Sequence, residues 1–420
     1  MTRTVGIEAL NVFTGTCYVD VDKLAEHRGL DNARFRNLLM KEKTVALPDE
    51  DPITYGMTAA KPLIDALSPA ERNKIELVIT ATESAFDFSK SMSAYFHDLL
   101  GLKRNCRLLE VKNACYSGVA ALQMAANMVL SQTSPGAKAL VIATDIARLA
   151  FAEGGQTLSH DWSFAEPTGG AGAVAMLISD TPHVFQIDVG ASGYYGHEVM
   201  DTCRPLPDRE AGNAELSLLS YLDCSENAFA AYQERVRNIE FAKSFDYLAF
   251  HTPFAGMVKG AHRNLMRKTT KTSAEDIETD FRRRMHPGLR YCRRVGNVMG
   301  ATTLLALTST IDHAELRGPA RIGCFSYGSG CCSEFFSGVI RPESQTRVRA
   351  FDIARQLDAR CELSLPEYEM LFTGAHHVKF GTRDFVPDQS IVPRSRIALD
   401  TKRLVLKRIT EFHREYEWIS

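Results

Sequence analysis

The sequence Asn113-Ala114-Cys115-Tyr116-Ser117-Gly118 decides how the rest of the chain is interpreted. The segment before it, which ends at Val111, is typical of a strand, and the run 119–130 after it contains only two polar residues. A helix with so few polar residues is expected to be buried. Cys115 then stands where a strand passes into a helix, whose first N–H groups and positive dipole end favour a thiolate. The motif alone leaves two interpretations open, a nucleophilic cysteine or a small core residue.

Length and composition narrow the function classes. With 420 residues, 45% of them hydrophobic, the chain is long enough to bury one large core or two packed halves. Its 49 basic and 51 acidic residues leave a net charge of -2, and no basic arm indicates a nucleic-acid partner. No apolar run indicates a signal peptide, and none reaches the roughly 18 residues of a membrane helix. These features predict a soluble, cytoplasmic protein without membrane contact.

The cysteines give a further exclusion. Ten of them are scattered along the chain, and none forms a C-x-x-C pair. Neither a zinc site nor a disulfide framework is therefore expected.

Polar residues follow several buried segments. Glu83 comes shortly after the β-branched run 77–80, and His251 comes directly after the apolar segment 245–250. Open α/β sheets bind their ligands at the carboxyl ends of their strands. Asn297, in a glycine-containing turn before an apolar helix, mirrors the Cys115 segment. The second half thus repeats the first, which predicts an α/β layered fold with two halves around one crevice. Residues 194–223 are predicted to be a long connection between the halves that forms one wall of the pocket.

Taken one by one, these residues also have plain structural interpretations. Glu83 could cap a strand end, His251 could be a hydrogen-bonded core histidine and Asn297 a turn residue. Together with Cys115 they supply a nucleophile, an acid/base and donors for a developing oxyanion. Carbon–carbon bond formation on thioesters needs these groups, whereas a cysteine protease has less use for Glu83.

The motifs resemble those of the 3-hydroxy-3-methylglutaryl-CoA (HMG-CoA) synthase family of the thiolase superfamily. The motifs occur in the family's order and are spread from residue 5 to about residue 340. They are Ala-Thr-Glu83-Ser, Asn113 to Gly118, Pro167 to Ala173, Arg204-Pro205, Leu216-Ser217 to Tyr221-Leu222, Phe-His251-Thr-Pro-Phe, Gly296-Asn297 and Ser326 to Gly330. The resemblance implies a thiolase-like αβαβα fold and a homodimer. Residues 1–180 would form the half that carries Glu83 and Cys115, and residues 181–420 the half that carries His251 and Asn297.

The resemblance also implies a mechanism. Cys115 takes an acetyl group from a donor thioester, and Glu83 deprotonates the acetyl methyl. The resulting carbon attacks the β-keto carbon of an acceptor, oriented by His251 and Asn297, and water releases the branched product. The family's pattern makes Asn297, Ser329, Thr168 and Ser217 the substrate-binding residues. Substrates arrive on phosphopantetheine, and neither a metal nor a redox cofactor is required.

Two departures bear on the branch of the family. Primary-metabolism members have Arg before Pro-Thr-Gly-Gly and an Asp-Phe-Tyr-Arg-Pro segment, whereas this chain has Glu166 before Pro167 and Asp201-Thr202-Cys203 before Arg204. These departures resemble the homologues of polyketide β-branching cassettes, which use acyl carrier proteins as donor and acceptor. A mevalonate-pathway enzyme that uses acetyl-CoA and acetoacetyl-CoA is the alternative. A ketoacyl synthase usually has histidine in place of Glu83, and a non-catalytic docking subunit would need none of these residues.

A carrier-protein partner implies basic residues near the site entrance, because carrier proteins are acidic. The candidates are Lys259, Arg263, Arg267 and Lys268, just downstream of His251, and Arg34. Each could instead belong to an ordinary solvated helix face.

Overall fold

The computed structural model describes residues 3–147, 165–206, 209–372, 378–397 and 402–420. Within these ranges the strands are β1 (Gly6–Phe13), β2 (Cys17–Asp20), β3 (Glu42–Val45), β4 (Ile75–Ala81), β5 (Arg107–Val111), β6 (Lys138–Ile146), β7 (Ala171–Ser179), β8 (Phe185–Gly196), β9 (Thr202–Leu206), β10 (Arg209–Gly212), β11 (Tyr247–Phe250), β12 (Ala320–Gly328), β13 (Cys332–Ile340), β14 (Cys361–Glu362), β15 (Arg403–Thr410) and β16 (His413–Ile419).

The α-helices of the same ranges are α1 (Val21–His27), α2 (Asn32–Arg36), α3 (Pro52–Asp65), α4 (Pro69–Arg72), α5 (Ser93–Leu99), α6 (Ser117–Ser131), α7 (Ala214–Arg235), α8 (Ala255–Thr269), α9 (Ala274–Asp280), α10 (His286–Val295), α11 (Thr302–His313), α12 (Pro342–Arg349), α13 (Ile353–Asp358) and α14 (Leu365–Phe372). A π-helical turn spans Phe281–Met285, and 3-10 turns span Met299–Ala301 and Arg394–Arg396. None of these helices is both long and apolar enough to cross a membrane.

One mixed sheet runs through the molecule in the order β11-β12-β13-β8-β1-β7-β6-β4-β5. Its two ends follow the same plan. β5, β4 and β6 are parallel and β7 is antiparallel to them, while β11 and β12 are parallel and β13 is antiparallel. The two halves meet where β1 pairs with β8 at Gly6 and Ile7. Glu83 follows the carboxyl end of the parallel strand β4 in one half, and His251 follows that of β11 in the other.

The sheet is covered on both faces. Alternate residues of β7, such as Met176 and Leu177, pack toward the α6 side and toward α3 respectively. Helices α6 and α11 lie between the halves, α3 covers the N-terminal half, and α7 packs on β8 and β13. This order confirms the predicted αβαβα thiolase-like fold.

Helix α6 departs from the sequence expectation of burial on all sides. Met124 is 45% exposed, and Asn127 is exposed as well. The reason is its place in the central layer, where it packs on β4, β5 and β6 at the end of the sheet and has α11 beside it. The prediction of a wholly buried helix was therefore wrong.

The connection 194–223 is also more regular than predicted. β8 continues to Gly196, β9 and β10 form a hairpin, and α7 begins at Ala214 behind the capping residue Asn213. The side chain of Asn213 accepts a hydrogen bond from the backbone N–H of Leu216, which explains why the helix begins there.

The end of the chain returns to the N-terminal half. β14 pairs with β2, and β15 of the hairpin β15–β16 packs on α3. Arg403 and Arg414 form buried ion pairs with Glu50 and Asp51, just before α3 and at its N-cap. The division of the chain at residue 180, between β7 and β8, stays a prediction.

Candidate active site

Cys115 lies in the turn that joins β5 to α6, and it is half-buried. Ala114 before it has a φ of +44°, in the left-handed region where a side chain is strained. Strain of this kind, about 1–3 kcal/mol per residue, persists only where the surroundings hold the backbone in place. Since α6 begins at Ser117, the thiol is presented at the N-terminal end of a helix.

Two glycines let loops from the other half touch this turn. A Cβ on Gly118 would lie 2.1 Å from the carbonyl oxygen of Gly300, and one on Gly328 would lie 2.7 Å from that of Asn113. Any side chain at these positions would push the backbones apart. The turn after Asn297 and the end of β12 therefore both pack against the Cys115 turn.

Glu83 is held on both sides of its backbone. Its N–H donates to Oδ1 of Asp145 at 2.7 Å, and its carbonyl oxygen accepts from Nη1 of Arg204 at 2.7 Å. Nη2 of Arg204 lies 3.9 Å from Oε2 of Glu83, whose side chain is 19% exposed. The carboxylate is thus partly accessible and lies beside a guanidinium group.

Asp145 connects the Glu83 loop to the Asn297 turn. Its fully buried carboxylate accepts hydrogen bonds from the hydroxyls of Thr82 and Ser84 and from the N–H of Glu83 through Oδ1. Oδ2 accepts from the N–H of Gly300 at 3.3 Å. Burial raises the pKa of Asp145 to about 6, although these hydrogen bonds act in the opposite direction. One side chain therefore fixes two loops next to the Cys115 turn.

Asn297 is oriented by its own turn. Its Oδ1 accepts from the N–H of Met299 at 3.0 Å and from the hydroxyl of Thr302 at 2.9 Å. Its backbone N–H donates to the carbonyl oxygen of Thr168 at 2.7 Å, so these two predicted substrate-binding residues are adjacent. Because the amide oxygen is occupied twice, the NH₂ group remains as the donor that can reach a ligand.

His251 follows β11 and is buried. The backbone N–H of His251 donates to the carbonyl oxygen of Phe325 at 2.7 Å, and the backbone carbonyl oxygen of His251 accepts from the hydroxyl of Tyr221 at 2.6 Å. Burial lowers the pKa of His251 to about 3, and Nδ1 has no hydrogen-bond partner among the described residues. The imidazole is therefore neutral at neutral pH and can donate one hydrogen bond and accept another.

Ser329 and Ser217 lie in different elements of the fold. Ser329 follows β12 and is half-buried, and Asp201 fixes its loop by accepting from the hydroxyl of Tyr327 and from the N–H of Gly330. Ser217 is half-buried in the first turn of α7, one helical turn before the tyrosine that holds the His251 carbonyl. These two predicted binding residues thus belong to different elements, the end of β12 and the first turn of α7.

The five predicted carrier-binding residues differ in their surroundings. Lys259 forms an ion pair with Glu278 at 2.8 Å, and Lys268 forms one with Glu226. The side chain of Arg34, in α2, lies outside the described residues.

Arg263 and Arg267 are different, because both are exposed and neither forms a salt bridge within the described residues. They line a groove of about 330 Å³ between α7 and α8, together with Leu218, Leu222 and Phe254. Phe254, which lines the groove, is three residues after His251 in the sequence.

Comparison with known proteins identifies the family. The family models for the N terminal and C terminal of hydroxymethylglutaryl-coenzyme A synthase match residues 1–182 and 262–417. The polyketide biosynthesis 3-hydroxy-3-methylglutaryl-ACP synthase PksG of Bacillus subtilis (strain 168) is 62% identical over 99% of this chain and 100% of its own length. The chain belongs to the HMG-CoA synthase family. It is accordingly an acyltransferase of the condensing type, as the motifs predicted.

Two further comparisons bear on the branch of the family. A crystal structure of the curacin biosynthetic pathway HMG synthase in complex with acetyl donor-ACP superposes with a TM-score of 0.95, at 58% identity over 99% of this chain and 100% of that one. The hydroxymethylglutaryl-CoA synthase of Enterococcus faecalis is only 32% identical, over 88% of this chain and 91% of its own. The predicted likeness of this synthase to the polyketide branch of the family is therefore confirmed, and the mevalonate-type enzyme is the more distant relative.

Several residues of this synthase site were missed by the sequence reasoning. Asp145 lies at the end of the apolar strand β6, and Glu334 lies within β13. Arg204 and Asp201 lie in motifs that were quoted without a role for either residue. A polar residue at the end of an otherwise apolar strand was the available signal for Asp145. For Arg204 and Asp201 the signal was their place in the segment that ends at Arg204-Pro205, a motif of the family.

The chemistry available to this synthase follows from the geometry. A cysteine lies at a helix N-terminus, a partly accessible glutamate follows a neighbouring strand, and loops bearing amide donors pack on the cysteine turn. A neutral histidine and an oriented asparagine amide can both donate to a carbonyl oxygen without adding charge. This set suits acyl transfer to sulfur followed by proton removal from the acyl group.

Proposed function

We propose that the protein condenses the acetyl group of an acetyl-acyl carrier protein with a β-ketoacyl-carrier protein during polyketide β-branching. The thiolate of Cys115 attacks the donor thioester, and the phosphopantetheine thiol of the donor leaves. Glu83 takes a proton from the acetyl methyl, and the carbon attacks the β-keto carbon of the acceptor. Water then cleaves the Cys115 thioester, which leaves a carboxymethyl branch and a tertiary hydroxyl on the acceptor.

His251 and Asn297 have distinct parts in this proposal. They donate hydrogen bonds to the acceptor carbonyl and stabilise the alkoxide that forms on it. The alkoxide takes back the proton that Glu83 removed, so the carboxylate is regenerated. Thr168, Ser329 and Ser217 line the path of the phosphopantetheine arm.

One observation carries the proposal more than any other. Asp145 holds Glu83 and Gly300 at the same time, and Gly300 touches the first turn of the helix that follows Cys115. Asp145 thus links the Glu83 loop to the turn after Asn297, and that turn contacts the start of the helix that follows Cys115. The relatives named for ACP support the carrier-bound form of the substrates.

We propose that the carrier protein docks on the groove lined by Arg263 and Arg267. Both guanidinium groups are available to acidic side chains, whereas Lys259 and Lys268 would first have to exchange their glutamate partners. The adjoining apolar residues Leu218 and Phe254 would receive the partner's apolar face. Donor and acceptor carriers would use this surface in turn, and a contact from Arg34 remains a prediction.

A comparison of donors tests the proposal. Acetyl-carrier protein is expected to acetylate Cys115 at least about tenfold more efficiently than acetyl-CoA, because long-range charge attraction raises the association rate. Intact-protein mass against time measures the rate. If the enzyme used acetyl-CoA and acetoacetyl-CoA as efficiently as the carrier-bound substrates, the mevalonate-pathway function would be favoured. If neither donor added an acetyl group to the protein, a non-catalytic docking subunit would be favoured.

Charge reversal at the groove separates docking from chemistry in the same assay. Arg263→Glu with Arg267→Glu should raise the KM for acetyl-carrier protein without changing acetylation by a small pantetheine thioester. The matched control is Arg317→Glu. Arg317 is exposed, forms no salt bridge within the described residues, and lies before the N-terminal end of β12, whereas Ser329 follows the C-terminal end of that strand.

We also propose a homodimer formed along β5. This strand is the last of the sheet, and Leu109 in its centre is 39% exposed, as is Met124 on the adjacent α6 at 45%. An exposed edge strand with apolar side chains favours pairing with a second copy. Light scattering should give twice the chain mass of 46.6 kDa, and Leu109→Lys should halve it. A monomeric wild-type protein would exclude the dimer.

The cytoplasmic location stays a prediction.

A further inference from the structure

Glu334 on β13 is a fully buried carboxylate that takes no part in the chemistry described above. Its Oε2 accepts from the hydroxyl of Tyr116 at 2.7 Å, and its Oε1 accepts from Nε2 of Gln123 at 2.9 Å. Tyr116 is the residue after Cys115, and Gln123 lies seven residues, or two helical turns, further along the same face of α6. Both oxygens therefore bind the element that carries the nucleophile.

A carboxylate in this place is expensive to bury. Its two donors are neutral, and burial raises the pKa of Glu334 to about 7. An apolar residue would fill the space on β13 without that penalty. The carboxylate adds two directed hydrogen bonds across the boundary between the halves. Glu334 is 218 residues from Tyr116 and 211 residues from Gln123 in the sequence.

The nucleophile turn needs such an anchor. Ala114 is held in a strained left-handed conformation, and Gly118 and Gly328 bring the turn into close backbone contact with Gly300 and the end of β12 without a side-chain hydrogen bond. The bonds to Glu334 fix it from β13. We propose that Glu334 is a positioning residue for Cys115, which holds Tyr116 and Gln123 so that α6 presents the thiol to the acyl donor.

The test compares variants of this anchor with a matched tyrosine. Tyr116→Phe and Glu334→Leu should each slow acetylation of Cys115 by on the order of 100-fold, as a small misplacement of a reacting group does. The double variant should be no slower than the slower single variant, because the two changes break the same bond. Glu334→Gln should stay within about threefold of wild type, since its amide oxygen still accepts from Tyr116 and Gln123 can turn its own amide.

Tyr232→Phe is the control. Its hydroxyl forms a hydrogen bond with that of Ser337 on β13 at 2.8 Å. Tyr232 is buried, whereas Tyr116 is half-buried, and Tyr232 lies on α7, away from the nucleophile. Tyr232→Phe should lower the melting temperature at least as much as Tyr116→Phe does while leaving the acetylation rate unchanged. If Glu334→Leu does not fold, the test uses the acetylation rates of Tyr116→Phe and of the double variant Tyr116→Phe with Glu334→Gln instead.

The inference rests on the proposed function, and the readouts keep the two apart. Acetylation of the wild type reports the proposed function, whereas alkylation of Cys115 by iodoacetamide reports thiol presentation without any acyl donor. The inference is overturned if Tyr116→Phe and Glu334→Leu match Tyr232→Phe in both rates. A wild type that alkylates normally but accepts no acetyl group would overturn the proposed function alone.

Discussion

Replacing Cys115 by serine is expected to abolish acetyl transfer, with a loss on the order of 10⁴-fold in the overall reaction. A hydroxyl is far less ionised than a thiol at neutral pH, and nothing at the helix N-terminus can make up that difference. The mass of one acetyl group, present on the wild type after incubation with donor, should be missing from the variant. The fold should survive, because the substitution alters one half-buried atom.

Cys106→Ser is the matched control for this change. Cys106 is also half-buried and lies just before β5, but burial raises its pKa to about 11, so its thiol stays protonated. Its replacement should leave acetylation and turnover unchanged. If the acetyl mass persisted on Cys115→Ser, or were missing from Cys106→Ser, Cys115 would not be the nucleophile.

The polar residues at strand ends could be predicted because they interrupt apolar runs. Glu83 and His251 both follow short apolar segments that are typical of buried strands, and parallel strands bring their carboxyl ends to one edge. The family motifs then supplied roles that spacing alone could not supply. The fold class followed from the same pattern, since the two halves repeat the order of strand, turn and buried helix.

The residues that hold the site together could not be predicted in this way. Asp145 bonds Glu83 and Gly300, which are 62 and 155 residues away, and Glu334 bonds Tyr116 across 218 residues. A single sequence contains no periodicity that reports such contacts. The burial of α6 was overestimated for a related reason, because composition does not tell whether a helix lies in the middle or at the edge of a layer.

The protonation states divide the chemistry between the two proposed acid/base groups. His251 has a pKa lowered to about 3 by burial, so it stays neutral throughout the neutral range and acts as a hydrogen-bond donor. In the unfolded chain it would take up a proton below its ordinary value of 6.5, so it lowers stability as the pH falls from there toward 3. In the proposed mechanism, proton removal from the acetyl group is then left to Glu83, which lies beside Arg204 and is partly accessible.

Replacing Glu83 by glutamine should therefore separate the two halves of the reaction. Acetyl-Cys115 should still form at close to the wild-type rate, because attack of the thiolate on the donor needs no base of this kind. Condensation should fall by about 10²–10⁴-fold, the usual contribution of a positioned general base. The measurement is intact-protein mass for the acetyl-enzyme beside product formation from the β-ketoacyl acceptor.

Glu76→Gln controls for the loss of a glutamate from the same strand. Glu76 lies at the opposite end of β4, and its side chain is 37% exposed beside Lys103. Both half-reactions should proceed normally in that variant. If Glu83→Gln instead slowed acetylation and condensation equally, the glutamate would support the nucleophile turn, and the base would have to be sought elsewhere. Accumulation of acetyl-enzyme with no product is the result that requires Glu83 to act on the acetyl methyl.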